Sequence, residues 1–302
     1  MKKQLGGSAI LLLATLIWGS AFISQSIGMD HIEPFTFQAI RCFLAVLGLL
    51  PVIAIADRFK KNKGGFFRRW KNKQLWIAGI LCGIPLFFAC NLQQFGLSAD
   101  TDPGKSGFLT AMYIVIVPVI GIFFKRKPTI MTPISVAFAV AGLYCISCVG
   151  VTKISTGDLL TVGCAFMFAV QIMFVDKFAV DVDPLRLNLI QALVCSTLSA
   201  IMMVITETPT IPGITACALP LAHAGFLSMG AAYALQIIGQ KRVEPTAASL
   251  IMSMEAVFAL IFGYMLGMDE LGFWKMIGCG LMLIAVVLSQ IPVKRKQKAT
   301  MK

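Results

Sequence analysis

Apolar residues in this chain come in long unbroken runs, without the alternation of a half-buried strand or the single stripe of a surface helix. Ten such runs fall at about 8–28, 35–57, 74–98, 104–124, 131–151, 158–180, 185–206, 217–240, 246–267 and 273–292. About 20 apolar residues in an α-helix match the thickness of a bilayer core. The pattern therefore predicts an all-α polytopic membrane protein with ten transmembrane helices and short connections. The first run follows Met1-Lys2-Lys3 as a secretion signal would. It continues through Ile17, Trp18 and Phe22 to Ile27 without a small-residue cleavage site, so it is read as the first span.

Composition agrees with the pattern. Of 302 residues, 58% are hydrophobic and 13% charged, with a mean hydropathy of +0.84. A soluble domain carries about 25% charged residues, so a soluble enzyme, a disordered chain and a disulfide-built secreted module are all excluded. The net charge of +12 changes the picture only through its placement. Lys2, Lys3, the basic loop 58–73, Lys125 to Lys127, Lys177, Arg186, Lys241, Arg242 and the tail from Lys294 share one set of loops. The opposite loops hold Lys105 and Lys153, while Arg41 and Lys275 belong to spans two and ten. This asymmetry predicts cytoplasmic N- and C-termini in a plasma or inner cell membrane. The basic excess is topogenic, with anionic lipid as a secondary contact, and no nucleic-acid partner is expected.

The nine cysteines lie in or beside apolar runs. Cys145 and Cys148 are spaced CxxC, but no second pair or histidine accompanies them, so they are read as packing residues and neither a metal nor a cofactor is expected. Asp100-Thr101-Asp102 and Asp181-Val182-Asp183 are read as turns or caps, and the chain has no phosphate-binding GxxxxGK[ST] loop.

Ten spans divide into two sets of five, and the halves echo each other. Pro34 precedes Arg41 by seven residues, as Pro184 precedes Gln191; Trp18 and Phe168 each lie sixteen residues before those prolines. Leu92-Gln93 and Gly96 match Leu235-Gln236 and Gly239. Pro103 precedes Met112 by nine residues and Gly121 by eighteen, and Pro245 precedes Met254 and Gly263 by the same counts. An odd number of spans per copy turns the second copy upside down. The expected organisation is two inverted five-helix repeats at 1–151 and 152–292, followed by a basic cytoplasmic tail at 293–302. Inverted repeats place a site near the membrane midplane and suit alternating access.

These segments resemble a known group. Ala14-Thr15-Leu16-Ile17-Trp18-Gly19-Ser20 is similar to the first-helix signature of EamA-type transporters of the drug/metabolite transporter superfamily, and Pro34 to Arg41 resembles their second helix. Ala232-Tyr233-Ala234-Leu235-Gln236 and Pro245 through Ala259 resemble the matching part of the second repeat. The resemblance implies ten helices, a central cavity and movement of small metabolites or drugs, often outward. The chain departs from the group at Lys125-Arg126-Lys127-Pro128, where many members carry Gly-Glu, which alters a loop.

Polar groups in hydrocarbon are costly and are expected to face the bundle interior. Glu255 is the deepest acid, and the repeat pairs it with Tyr113, each ten residues after its proline. Ser106, Thr110, Tyr113 and Val117 share one helical face. Trp18 with Gln25, Asn91 with Gln94, and Tyr233 with Gln236 share others, and Gln171 lies mid-span. These are the candidate substrate-binding residues, with Glu255 and His223 as candidate coupling groups. Each also has a structural reading, since membrane helices use Asn, Gln, Ser and Thr to bond across interfaces. Arg41 is open between a snorkelling, capping and substrate role, and Pro85, Pro118 and Pro220 are expected to bend their helices.

The expected function is secondary transport of small metabolites or drugs, amino-acid-like compounds favoured, by an exporter working between two membrane faces. A membrane-embedded enzyme acting on lipid is the second class, and a lipid scramblase or scaffold the third.

Overall fold

A computed structural model describes residues 2–59, 69–99, 103–124, 130–147, 155–267 and 270–291. Most of the basic loop 58–73, the Lys125 to Lys127 cluster, Asp100 to Asp102, Cys148, Lys153, Asp269 and the tail lie outside the described residues.

The chain is all-helical among those residues. In order, the elements are α1 (Lys2–Met29), α2 (Pro34–Phe59), α3 (Lys73–Ser98), α4 (Pro103–Ala111), α5 (Tyr113–Phe123), α6 (Met131–Ser147), α7 (Thr156–Phe178), α8 (Pro184–Thr206), α9 (Ile211–Ala216) and α10 (Ala218–Ala222). A π-helix (His223–Ala232), α11 (Tyr233–Gln240), α12 (Pro245–Met252), α13 (Glu255–Met265) and α14 (Phe273–Ser289) complete the chain. Among the described residues, eight helical stretches are long and apolar enough to cross a membrane, and α6 and α14, at 17 residues each, are shorter apolar helices. The expected span at 273–292 is helical to Ser289, that at 131–151 is helical over its described part, and the short α9 before α10 is an element that the apolar pattern did not predict.

The helix starts have local causes. Pro34, Pro103, Pro184 and Pro245, the prolines that anchor the sequence echo, each open a helix. Proline suits that position because its missing N–H would have no intrahelical partner there. Asp183 accepts from the backbone N–H groups of Leu185 and Arg186, so the Asp181–Asp183 motif is a cap in the structure, as expected. Ser155 and Asp158 form a capping box at α7.

The helix interruptions are more informative. α3 passes through Pro85 and α5 through Pro118 without a break in helical structure. Breaks fall instead at Met112 and at Ser253-Met254, where ψ relaxes to about −10° and backbone bonds tighten to three-residue turns. Met112 donates its N–H to Leu109 and Met254 donates its own to Ile251. The two breaks lie the same nine residues beyond Pro103 and Pro245.

Close packing fixes the frame. α6 and α14 meet backbone to backbone: a Cβ on Gly278 would lie 2.5 Å from the carbonyl oxygen of Gly142. Small residues allow such an approach, which replaces the hydrophobic drive that lipid removes. α2 and α8 are joined along their whole length. At one end Glu207 accepts from the N–H groups of Phe35 (2.8 Å) and Thr36 (2.7 Å). In the middle Ser196 Oγ donates to the Ala39 carbonyl at 3.0 Å. At the other end Asp57 pairs with buried Arg186 and, at 2.5 Å, with Arg69.

Candidate functional site

Between these helices lies a partly open cavity, with about 490 Å³ of empty space when the part continuous with solvent is included. Its wall draws on most of the long helices: Trp18, Phe22 and Gln25 from α1, Arg41 from α2, Gln93 from α3, Thr110 from α4 and Tyr113 from α5. Phe168 and Ile172 of α7, Ser228 of the π-helix, Tyr233 and Gln236 of α11, Met252 of α12 and Glu255 of α13 close it.

Each position has a local reason. α1 lies against the backbone of α13 because Gly19 has no side chain. A Cβ there would meet Phe258 Cβ at 2.5 Å and the Ala259 nitrogen at 2.8 Å. This contact sets Trp18 into the cavity, where its ring meets Tyr233 edge-on at 5.0 Å. Tyr113 and Glu255 are the first residues after the two helix breaks, and Tyr113 Oη donates to Glu255 Oε1 at 3.2 Å. Gln93 donates to Thr110 Oγ1 at 3.1 Å. Arg41 Nη1 donates to Gln25 Oε1 at 2.5 Å, and Gln25's backbone carbonyl accepts from Gln94 at 3.2 Å.

Seven of these groups are therefore expected residues brought together: Trp18, Gln25, Thr110, Tyr113, Tyr233, Gln236 and Glu255. Four expected residues lie outside the wall. Asn91 donates to Ser199 Oγ at 3.0 Å and to the Phe87 carbonyl at 2.8 Å, joining α3 to α8. Gln94 supports Gln25 from behind. Gln171 stands one layer back, accepting from Gln236 at 3.0 Å and donating to Gln191 at 3.4 Å. His223 sits half-buried between Ser24 and Ser20, its ring nitrogens 3.0 and 3.2 Å from the two hydroxyls.

The amide chain continues past Gln191. That residue donates to Asn188 at 2.8 Å, and Asn188 donates to the carbonyls of Met229 and Gly230 in the π-helix. A π-helix lengthens the backbone hydrogen-bond register and is often found at functional sites. Here side-chain donors from α8 meet its carbonyls.

Gln93 and Phe168 were not among the expected wall residues, yet the sequence held a signal for both. The repeat pairs Gln93 with Gln236 and Phe168 with Trp18, so the wall membership of one partner pointed to the other. The same register pairs Phe22 with Ile172 and Thr110 with Met252, so these carry the mark too, while Ser228 does not. The wall also holds unpaired hydrogen-bonding atoms: Trp18 Nε1 and Arg41 Nε as donors and Gln236 Oε1 as an acceptor.

The sequence model of the EamA-like transporter family matches residues 5–148 and again residues 155–290. The chain belongs to the EamA-like transporter family. An uncharacterized transporter of Archaeoglobus fulgidus is 29% identical over 297 residues, spanning 96% of this chain and 88% of the relative. The uncharacterized transporter YoaV of Bacillus subtilis is 20% identical over 293 residues, spanning 95% of this chain and 97% of its own. One crystal structure shares the fold with a TM-score of 0.76 at 16% identity, across 94% of this chain and 96% of that one. With its series of apolar helices, this EamA-family chain is a multi-pass membrane protein.

Proposed function

We propose that this EamA-family chain is a secondary transporter that exports small metabolites or drugs, amino-acid-like compounds favoured, by alternating access. One observation carries the reading: five pairs of repeat-matched positions line a single cavity, Phe22 with Ile172 and Thr110 with Met252 among them. The others are Trp18 with Phe168, Gln93 with Gln236, and Tyr113 with Glu255. Two inverted five-helix repeats, 1–151 and 152–292, would each contribute one member to a site at the midplane, as such repeats do in secondary transporters. Support comes from the matching breaks at Met112 and Met254 and from a family match that falls in two successive segments. Ten spans follow if α6 and α14 cross with the eight longer stretches. The basic loops put both termini in the cytoplasm of a plasma or inner membrane.

In this reading Trp18, Gln25, Thr110, Tyr113, Tyr233, Gln236 and Glu255 contact the cargo. Asn91, Gln94 and Gln171 hold neighbouring groups in place. Glu255 is the proposed proton-coupling group, and His223, bridging α1 to the π-helix, is a positioning residue. The test is an untargeted comparison of metabolites inside and outside cells making this chain. A compound depleted inside and enriched outside, with the difference lost in properly inserted Trp18→Ala protein, is the expected result. No solute difference at high levels of inserted protein overturns export.

A further inference from the structure

We infer that Arg41 is the anion site of the cavity, its guanidinium receiving a carboxylate of the cargo while Gln25 fixes its orientation. This rests on the cavity being the transport site, and it names the chemical class that the site selects.

The two deeply buried arginines of the described residues make the contrast. Arg186, 1% exposed, is paired with Asp57 and lies 3.6 Å from Asp183. Arg41 is 2% exposed, and no carboxylate pairs with it among the described residues. Its oriented neighbours are neutral: Gln25 Oε1 at 2.5 Å and the Phe37 ring with its centroid 5.8 Å away. Its Nε has no hydrogen-bond partner. A charge withdrawn from water is costly unless paired, and Arg186 shows how this fold pairs one where the role is structural. Arg41 instead forms part of the cavity wall.

The chemistry then narrows the anion. A guanidinium is a planar fork that matches a carboxylate through two parallel N–H groups. With Nη1 engaged by Gln25, the edge containing Nε is left for the ligand. Glu255 is the acid in the same wall. One cation and one acid fit a mono-carboxylate with an amino group at the other end. A dianionic phosphate would bring two charges to a single guanidinium with a carboxylate opposite.

The test uses the purified full chain in detergent, with thermal unfolding as the readout and the twenty common L-amino acids as probes, each beside its primary amide. At least one acid is expected to raise the unfolding temperature while its amide does not. Arg41→Gln should weaken apparent binding of that acid tenfold or more, and Arg41→Lys should retain part of it. Gln25→Glu keeps the arginine but supplies an internal carboxylate, so it should fold and yet lose the response. The inference is overturned if amides stabilise as well as acids, if Arg41→Gln binds the acid as the parent does, or if no amino acid stabilises the parent. Transport itself is read separately by the metabolite comparison. An exported compound without a carboxylate would leave the transporter reading standing and remove this one.

Discussion

Tyr113 and Glu255, 142 residues apart, meet through one hydrogen bond at the centre of the bundle. Each begins the helix that follows a break, and each is the tenth residue after the proline that opens its span. The acid thus lies just past a tight turn in its span, and a phenol supplies one donor.

Glu255→Gln preserves shape and removes the titratable group. Transport driven by a pH gradient is expected to disappear, while exchange of cargo across proteoliposomes without a gradient persists. Gradient-driven transport that survives the substitution would end the coupling role of Glu255. Tyr113→Phe removes a donor to this acid, and an intramolecular hydrogen bond typically contributes about 0.5–1.5 kcal/mol. A lower unfolding temperature, with inserted protein still present, is the expected reading.

Asp57 holds together one end of the α2–α8 pair. Asp57→Asn leaves buried Arg186 facing Asp183 at 3.6 Å and removes the carboxylate that pairs with Arg69. Breaking a buried ion pair costs about 3–5 kcal/mol, and the remaining acid places this case at the lower end. Denaturant unfolding in detergent measures it. A midpoint unchanged from the parent would mean that Glu207 and Ser196 hold the pair unaided.

Two glycines on α14 separate packing from helix propensity. Gly278→Ala places a Cβ 2.5 Å from the Gly142 carbonyl and 2.7 Å from Ile146 Cγ1, so α6 and α14 must part. Gly280→Ala meets nothing within 4 Å. Only the first should lower the unfolding temperature. The second should leave it unchanged or slightly raised, because alanine favours a helix over glycine by about 1 kcal/mol.

Asn188→Ala removes the donors to the Met229 and Gly230 carbonyls. Interhelical hydrogen bonds in membranes contribute about 0.6 kcal/mol on average, with a maximum near 1.7 kcal/mol. Stability should therefore fall little, while transport falls more, since Ser228 and Tyr233 reach the cavity from the same stretch. Equal transport per inserted molecule would show that the π-helix does not need this anchor.

The sequence alone determined the class of molecule and the course of its helices. Hydrocarbon thickness sets the length of an apolar run, and proline and capping residues act within a few positions, so both are local. Hence Pro34, Pro103, Pro184 and Pro245 could be read as starting points, and the spacing to Met112 and Met254 as a matched pair. The tertiary structure decided which polar side chains face one another. In helices apolar on nearly every face, the sequence gives little indication of which face meets lipid and which meets protein. Helical periodicity points to the face of Asn91 and Gln94 and not to Gln93, yet those two join α3 to α8 and α1 while Gln93 reaches the cavity. Arg41 could not be assigned from its position, because its meaning depends on what lies opposite. Only the packed bundle sets a neutral Gln25 beside it and leaves Arg186 to the carboxylates.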